Sequence, residues 1–290
     1  MAKFKNSQNA LLFNCGYSAN TGAIPALSIN NDTSIFSDEL NHASIIDGIR
    51  LSKASTKYIY EHCNYNHLRE LIEKSTSKHK IVISETLFSM DGDIANLNEL
   101  VNICQQHNAL LYLDDAHASG VLGEKGRGSL EHFNITPNDS IIQMGTLSKA
   151  LGSCGGFICA NSSIIEYLIN TARPLIFSTA LPAPVIASAA TALNYIENHP
   201  EIIIKLRENI SILRTLLNMP HPQISPIIPI PFNTIEDTLK ASSYLYDNGI
   251  YAPAIRPPTV KTPRIRISIS ANHNKQDIEA LVKCLSQTAR

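Results

Sequence analysis

Charge is scarce in this 290-residue chain: charged residues make up 17% and the formal net charge is −1. That balance argues against a general electrostatic grip on nucleic acid or on an anionic membrane. Ten histidines add little at neutral pH. Paired cysteines are missing too. Cys15, Cys63, Cys104, Cys154, Cys159 and Cys284 are scattered with no C-x-x-C spacing. A zinc cage or a disulfide framework is therefore not expected, and no metal site is. Each cysteine reads as a small buried apolar residue, suited to a reducing cytosol.

Long apolar runs are lacking as well. The stretch from Leu175 to Leu193 is interrupted by Ser178, Thr179, Pro182, Pro184 and Ser188, which makes a poor membrane span. The start, MAKFKNSQNALLFNCGY, is basic, but its apolar run is too short for a signal peptide. The expectation is a cytoplasmic protein. Neither G-x-x-x-x-G-K-[ST] nor G-x-G-x-x-G occurs, so nucleotide-binding readings lack support. A serine acyl-enzyme reading of T-L-S-K fails for want of S-D-N and K-T-G elements. No internal repeat is visible.

What is present is a folded composition, 44% hydrophobic, with short β-rich runs between helical patterns. ALLF (10–13), TSIF (33–36), KYIY (57–60), KIVIS (80–84), ALLYLD (109–114), SIIQM (140–144) and GFICA (156–160) predict strands. Segments near 17–29, 43–52, 65–76, 96–107 and 162–172 predict helices. Continuous apolar strands separated by helices predict an α/β fold with a mostly parallel sheet covered on both faces. From Pro182 to about Met219 the pattern is helical, broken near His199-Pro200. PHPQISPIIPIP (220–231) reads as a boundary loop feeding an edge strand, in preference to a polyproline partner motif. The tail predicts a helix over 234–248, short strands around 250–254 and 263–270, and a last helix over 275–288. The division expected is a large domain over 1–190, then a connecting helix and small α+β domain over 191–290.

In open parallel sheets, ligands collect beyond the carboxyl ends of the strands. Two such ends carry reactive groups: LYLDDAHASGVLGEKGRGSL and IIQMGTLSKALGSCGGF. Lys149 sits among small residues, with room for an aldehyde. The alternative, a solvated lysine, is weakened by the glycines at 155–156, which permit close backbone approach. Asp114 ends an apolar strand, and a buried carboxylate needs a cationic partner. A protonated pyridine nitrogen would serve. Together the amine and the carboxylate propose pyridoxal-phosphate (PLP) chemistry. Asp115 better fits an ordinary strand-end or capping role. Asp114 and His117 could suggest a metal pair, but no further ligand has convincing spacing; a hydrogen bond to a phenolic oxygen fits His117 better. His42 could stack on a pyridine face or be a plain loop or cap residue. Gly16 and Tyr17 open a helix after the first strand, where backbone N–H groups suit a phosphate. Ser89 precedes an Asp91-Gly92 turn and could be turn chemistry alone. Arg264 and Arg266 share one strand face; they could grip a carboxylate or be a solvated pair on an edge strand.

Five stretches, CGYSAN, NHASIIDG, ETLFSMDGD, LDDAHASGVLGEKGRG and TLSKALGSCGGF, occur in an order that resembles the α-oxoamine synthases. RPLIFSTALP (173–182) and AIRPPTV (254–260) are most similar to the biotin-pathway member of that family. The resemblance covers essentially the whole chain. It implies the PLP-dependent transferase fold type I, like aspartate aminotransferase, and a homodimer. Carried over, Lys149 is the covalent cofactor lysine, Asp114 the pyridine-nitrogen partner, His117 the neighbour of the phenolic oxygen and His42 the ring-stacking histidine. Ser89 and Thr146 are implied as cofactor contacts, Thr146 towards the phosphate, with Gly16 and Tyr17 on the phosphate side. Thr259 and Arg266 are implied on the substrate side, Arg266 towards the amino-acid carboxylate. Ser178 and Thr179 are implied to reach the partner subunit's phosphate. The implied reaction is decarboxylative condensation of L-alanine with a pimeloyl thioester, on CoA or a carrier protein. A glycine C-acetyltransferase-like reaction and a non-catalytic homologue or partner subunit are the alternatives. The resemblance also implies a segment ahead of the ALLF strand longer than the one here; the loop after PPTV departs from the family by being short, Val260-Lys261-Thr262-Pro263 leading straight to Arg264.

Overall fold

Alternation along the strands dictates the larger layer. On the central strands, Ile81 and Ile83 point to one face of the sheet, and Val82 to the other; Tyr112 faces the first side, Leu111 and Leu113 the second. Both sets are buried, so helices must cover both faces. The computed structural model describes residues 1–28, 31–220 and 224–288, and divides into two compact units, 1–88 with 95–199, and 89–94 with 200–290.

The first unit runs β1 (Asn9–Phe13), α1 (Gly16–Leu27), β2 (Thr33–Asp38), α2 (Ala43–Leu51), β3 (Thr56–Tyr60), α3 (Tyr65–Lys74), β4 (His79–Glu85), α4 (Leu97–Gln106), β5 (Leu110–Asp114), α5 (Ser129–His132), β6 (Ile141–Thr146), β7 (Gly156–Ala160), α6 (Ser162–Thr171), α7 (Arg173–Ile176) and α8 (Ala183–Asn198). The strand order is β1-β7-β6-β5-β4-β2-β3. β3, β2, β4, β5 and β6 are mutually parallel, and β7 lies antiparallel between β6 and β1. The strands named from sequence are therefore the strands of the sheet. The reversed direction of β7 follows from its short connection to β6, too short to carry the crossover a parallel neighbour needs. One apolar cluster joins α1 and α6 to the sheet, with Ala19, Ala23, Ile24, Ile165 and Leu168 at its heart. On the other face Leu68, Ile72, Leu100 and Ile103 of α3 and α4 pack on Val82, Leu111 and Leu113. Gly156 is required by contact: a Cβ there would sit 2.6 Å from the Cys15 carbonyl oxygen, so glycine lets β7 start against the entry to α1.

The second unit contains α9 (Glu201–Leu216), β8 (Ile227–Pro231), α10 (Ile235–Asp247), β9 (Ala254–Ile255), β10 (Arg264–Ser268) and α11 (Lys275–Ser286). Its antiparallel sheet has the order β8-β10-β9. β8 is an edge strand, as its prolines require. The preceding proline-rich stretch lies partly, at 221–223, outside the described residues. α11 opens with a capping box between Asn274 and Asp277.

Three expectations change. A boundary at residue 190 would cut α8, whereas the units meet at His199-Pro200, where proline cannot continue a helix. β10 is the middle strand of its sheet, so Arg264 and Arg266 are not on an edge. The six cysteines are free, but only Cys104 and Cys159 are buried, and Cys15 and Cys154 are exposed; both flank the Gly155-Gly156 approach, where packing is set by backbone. Among the described residues no helix is long and apolar enough to cross a membrane.

Candidate active site

The carboxyl ends of β4, β5 and β6 and the start of α1 enclose a pocket of about 250 Å³, lined by Gly16, Tyr17, His42, Asp114, His117, Thr146 and Lys149 among others. Each arrives there for a local reason. Gly16 begins α1, whose first turn is capped by Cys15: its sulfur accepts the Ser18 N–H at 3.4 Å. Lys149 and His117 lie in loops just beyond β6 and β5. Thr146 ends β6; its hydroxyl donates to the Gly155 carbonyl at 2.9 Å and lies 2.8 Å from the Ser148 hydroxyl. His42 is the N-cap of α2, accepting the Ser44 N–H on Nδ1 at 3.2 Å. His42 thus caps α2 and also lines the pocket.

Asp114 is buried, at 5% exposure. Because Tyr112 and Asp114 share a strand face, the carboxylate emerges on the α1 side. Its Oδ2 accepts from the Asn20 amide at 2.8 Å and its Oδ1 from the Ala116 N–H at 3.1 Å. An ionised carboxylate accepts about four hydrogen bonds, so capacity remains for a cationic N–H from the pocket. Desolvation lowers the His42 pKa; Lys149 works in the same direction and Asp114 against it. The balance favours the neutral imidazole. Tyr17 is half exposed, and its hydroxyl donates to Asp47 at 2.5 Å; this bond, with burial and the Asp47 charge, raises the phenol pKa.

Asp115 goes elsewhere. Its carboxylate forms a fully buried ion pair with Lys5 at 2.5 Å and accepts from the Thr86 hydroxyl at 2.7 Å and the Ser129 N–H at 3.2 Å. Burial alone would raise its pKa; the Lys5 ammonium and these hydrogen bonds outweigh burial and hold it low. Asp38, His62 and Cys63 also cluster, with ligand-type atoms within 4.8 Å. The Asp38 oxygens there accept the Leu40 and Cys63 N–H groups, both at 2.9 Å, and lie 2.9 Å from His62 Nδ1, which reads as turn fixing.

Ser89, Thr259 and Arg266 belong to the second unit. Within it, Arg266 Nε donates to the Ser89 carbonyl at 2.6 Å, and Arg264 Nη1 donates to the Asp91 carboxylate at 2.5 Å. The two arginines do share a face, and they hold the 89–91 turn. Gly92, at φ +72°, completes that turn; a Cβ there would collide with the Ile227 carbonyl oxygen. Burial lowers the Arg266 pKa, though an arginine stays charged. Thr259 is exposed. Ser178 and Thr179 are exposed beyond α7.

Three residues missing from the sequence reading matter to the site. Asn20, fully buried, bonds Asp114 and the Ser44 hydroxyl and accepts from Tyr112, each at 2.8 Å. Ser44 lies 2.7 Å from His42 Nδ1. Glu85 lines the pocket at the end of β4. The only clue to Asn20 was a polar residue on the apolar face of α1.

A mostly parallel sheet with an acid, a lysine and a helix N-terminus at its carboxyl end suits a phosphorylated carbonyl cofactor. The donor set fits PLP: a buried carboxylate for a ring N–H, an amine for an aldehyde, and the α1 N-terminus with Thr146 and Ser148 hydroxyls for a phosphate. Residues 1–285 match the family model for aminotransferase class I and II. A relative from Thermodesulfovibrio yellowstonii, named "Putative 8-amino-7-oxononanoate synthase", is 52% identical over 99% of this chain and 74% of its own length. One of the same name from Methanocaldococcus jannaschii is 44% identical over 99% and 78%. The 8-amino-7-oxononanoate synthase structure from Francisella tularensis superposes with a TM-score of 0.85 at 32% identity, covering 99% of this chain and 84% of that one. A serine palmitoyltransferase from S. paucimobilis gives 0.92 at 29% identity, covering 97% and 72%. The chain belongs to the aminotransferase class I and II family and, within it, to the α-oxoamine synthases. Its fold is the PLP-dependent transferase fold type I, and its cofactor is pyridoxal phosphate.

Proposed function

We propose that this chain is an acyltransferase that condenses L-alanine with a pimeloyl thioester to give 8-amino-7-oxononanoate, a precursor in biotin synthesis. The observation that carries the reading is the convergence of Lys149, Asp114, His42, His117, Thr146 and Gly16 on one pocket, in a chain 52% identical to a relative of that name. PLP, when bound, supplies the electron sink for the carbanion formed at the amino-acid α-carbon. Lys149 would hold the cofactor through its amine, and its Nζ would be the base for the amino-acid α-proton. Asp114 would offer the ring nitrogen a buried anionic partner. His42 would cover the ring, and His117 would stand on its phenolic side. Thr146, Gly16 and Tyr17 would hold the phosphate end. For Ser89, Thr259 and Arg266 the roles proposed are those the family resemblance implies: Ser89 a cofactor contact, Thr259 and Arg266 on the substrate side, Arg266 towards the carboxylate.

The reading includes a homodimer, with exposed Ser178 and Thr179 meeting the partner subunit's phosphate, and a cytoplasmic setting suited to six free thiols. A second reading is favoured by one observation: the serine palmitoyltransferase likeness has a TM-score of 0.92, so serine with a long-chain thioester is the competing pair. The test is turnover of three pairs by the PLP-loaded chain: alanine with pimeloyl thioester, serine with palmitoyl thioester, and glycine with acetyl thioester. The proposal expects the highest kcat/KM for the first, abolished in Lys149→Ala. A preference for another pair overturns the substrate assignment, and no turnover of any pair overturns the enzyme reading.

A further inference from the structure

Four buried side chains, Asp114, Asn20, Ser44 and Tyr112, and the exposed His42 form one directed chain in and behind the pocket. Asp114, as a carboxylate, can only accept, so the atom of Asn20 facing it is the amide nitrogen. That nitrogen has two hydrogens; the other goes to the Ser44 hydroxyl oxygen at 2.8 Å. Asn20 Oδ1 in turn accepts from the Tyr112 hydroxyl at 2.8 Å. Tyr112 is fully buried, and desolvation together with the Asp114 charge keeps its phenol protonated. Every hydrogen-bonding atom of the Asn20 side chain is thus committed.

The direction then propagates. The Ser44 backbone N–H, which can only donate, points at His42 Nδ1 at 3.2 Å, so that nitrogen is an acceptor and carries no proton, and the neutral ring is protonated on Nε2. The Ser44 hydroxyl lies 2.7 Å from the same atom, and with its oxygen accepting from Asn20 its own proton is available to give there.

We propose that Asn20 and Ser44 are positioning residues which, through this single chain, orient the Asp114 carboxylate and fix His42 as the Nε2–H tautomer. This deepens the reading of the pocket given above and rests on it for the bound ring. One network then sets both partners of that ring: the anion at its nitrogen and the uncharged imidazole at its face. The charged and titratable groups around His42 are Asp114, Glu85, Lys149, His117, Tyr17 and Cys15, which line the same pocket from β5, β4, the loops beyond β6 and β5, and the start of α1. They include both signs, so the surrounding charge alone does not select a tautomer. The hydrogen-bond direction does.

The test is histidine side-chain nitrogen NMR on the full chain, labelled in histidine, with PLP added and His42 assigned by loss of its signals in His42→Gln. The wild type should show a directly bonded proton on His42 Nε2, an unprotonated Nδ1, and protonation only below the ordinary histidine range. Ser44→Ala should shift the ring towards a tautomer mixture and raise its pKa, and Ser44→Thr should restore both. Asn20→Asp, isosteric but lacking the donor, should weaken PLP binding about tenfold or more by absorbance titration. A proton on Nδ1 in the wild type, or a tautomer ratio unmoved in Ser44→Ala, overturns the proposal. So does an Asn20→Asp affinity within about twofold of wild type when the far-ultraviolet spectrum is unchanged. If Asn20→Asp fails to fold, the Ser44 pair decides alone. Should PLP not attach to Lys149 while the Ser44-dependent tautomer persists, the function reading falls and the network stands.

Discussion

Asp114 and Asp115 are adjacent in sequence and serve opposite sides of β5. Asp114 follows Tyr112 onto the α1 face, meets Asn20 and opens to the pocket. Asp115 turns to the other side, where the Lys5 ammonium meets it with both side chains essentially buried. One environment leaves acceptor capacity for an incoming cation; the other spends it on the protein's own. Residue type therefore says little here, and strand alternation decides which carboxylate belongs to the site and which to the fold.

Four results would break or sharpen this contrast. The largest effect is on the pocket side: Lys149→Ala should lower turnover by about 10³-fold or more, since on the proposed function the group lost is both the covalent anchor and the base; steady-state kinetics at saturating PLP measures it. Next is the fold side. Asp115→Ala leaves a buried ammonium without its anion and should cost about 3–5 kcal/mol in urea unfolding, while the double variant Lys5→Met, Asp115→Leu should recover most of that loss. Asp114→Asn should reverse the pattern, costing about 10²–10³-fold in turnover but about 1 kcal/mol or less in stability. An Asp114→Asn protein that unfolds as readily as Asp115→Ala would erase the distinction.

The smallest effect is in pH. The Asp115 pKa is held below its usual value in the folded chain. Its contribution to stability is therefore complete above the unfolded carboxylate pKa of about 3.9 and is lost as pH falls through the lower folded value. Urea midpoints measured downward from about pH 5 should fall more steeply in wild type than in the Lys5→Met, Asp115→Leu pair. His42, also lowered, has the same sign in a higher window: its contribution is present above about pH 6.5 and fades as pH falls below that.

Much of the larger unit was legible because local patterns carry it. Apolar runs such as KIVIS and ALLYLD became β4 and β5, and the helices between them fell within a residue or two. That Lys149, His117 and Thr146 share a pocket was legible because each lies at or just beyond a strand end, where parallel sheets place their ligand sites. What escaped notice depended on distant partners. Asn20 meets Asp114 across 94 positions, and Lys5 meets Asp115 across 110; neither pairing leaves a periodic trace. The exposure of Cys15 and Cys154 escaped for a related reason, since glycine backbone packing at 155–156 sets it. The arginines of β10 were placed on one face correctly, and a short strand was read around 250–254, but the pairing of β9 with β10 that makes the arginines' strand central leaves no local pattern.

The central claim is that Lys149 and Asp114 form one PLP site while Asp115 does not. Borohydride reduction of the PLP-loaded chain, followed by peptide mass mapping, tests it most directly. The account predicts a single reduced pyridoxyl adduct, on Lys149, formed in wild type and, at reduced occupancy, in Asp114→Asn. An adduct on another lysine, or none at saturating cofactor, would contradict it.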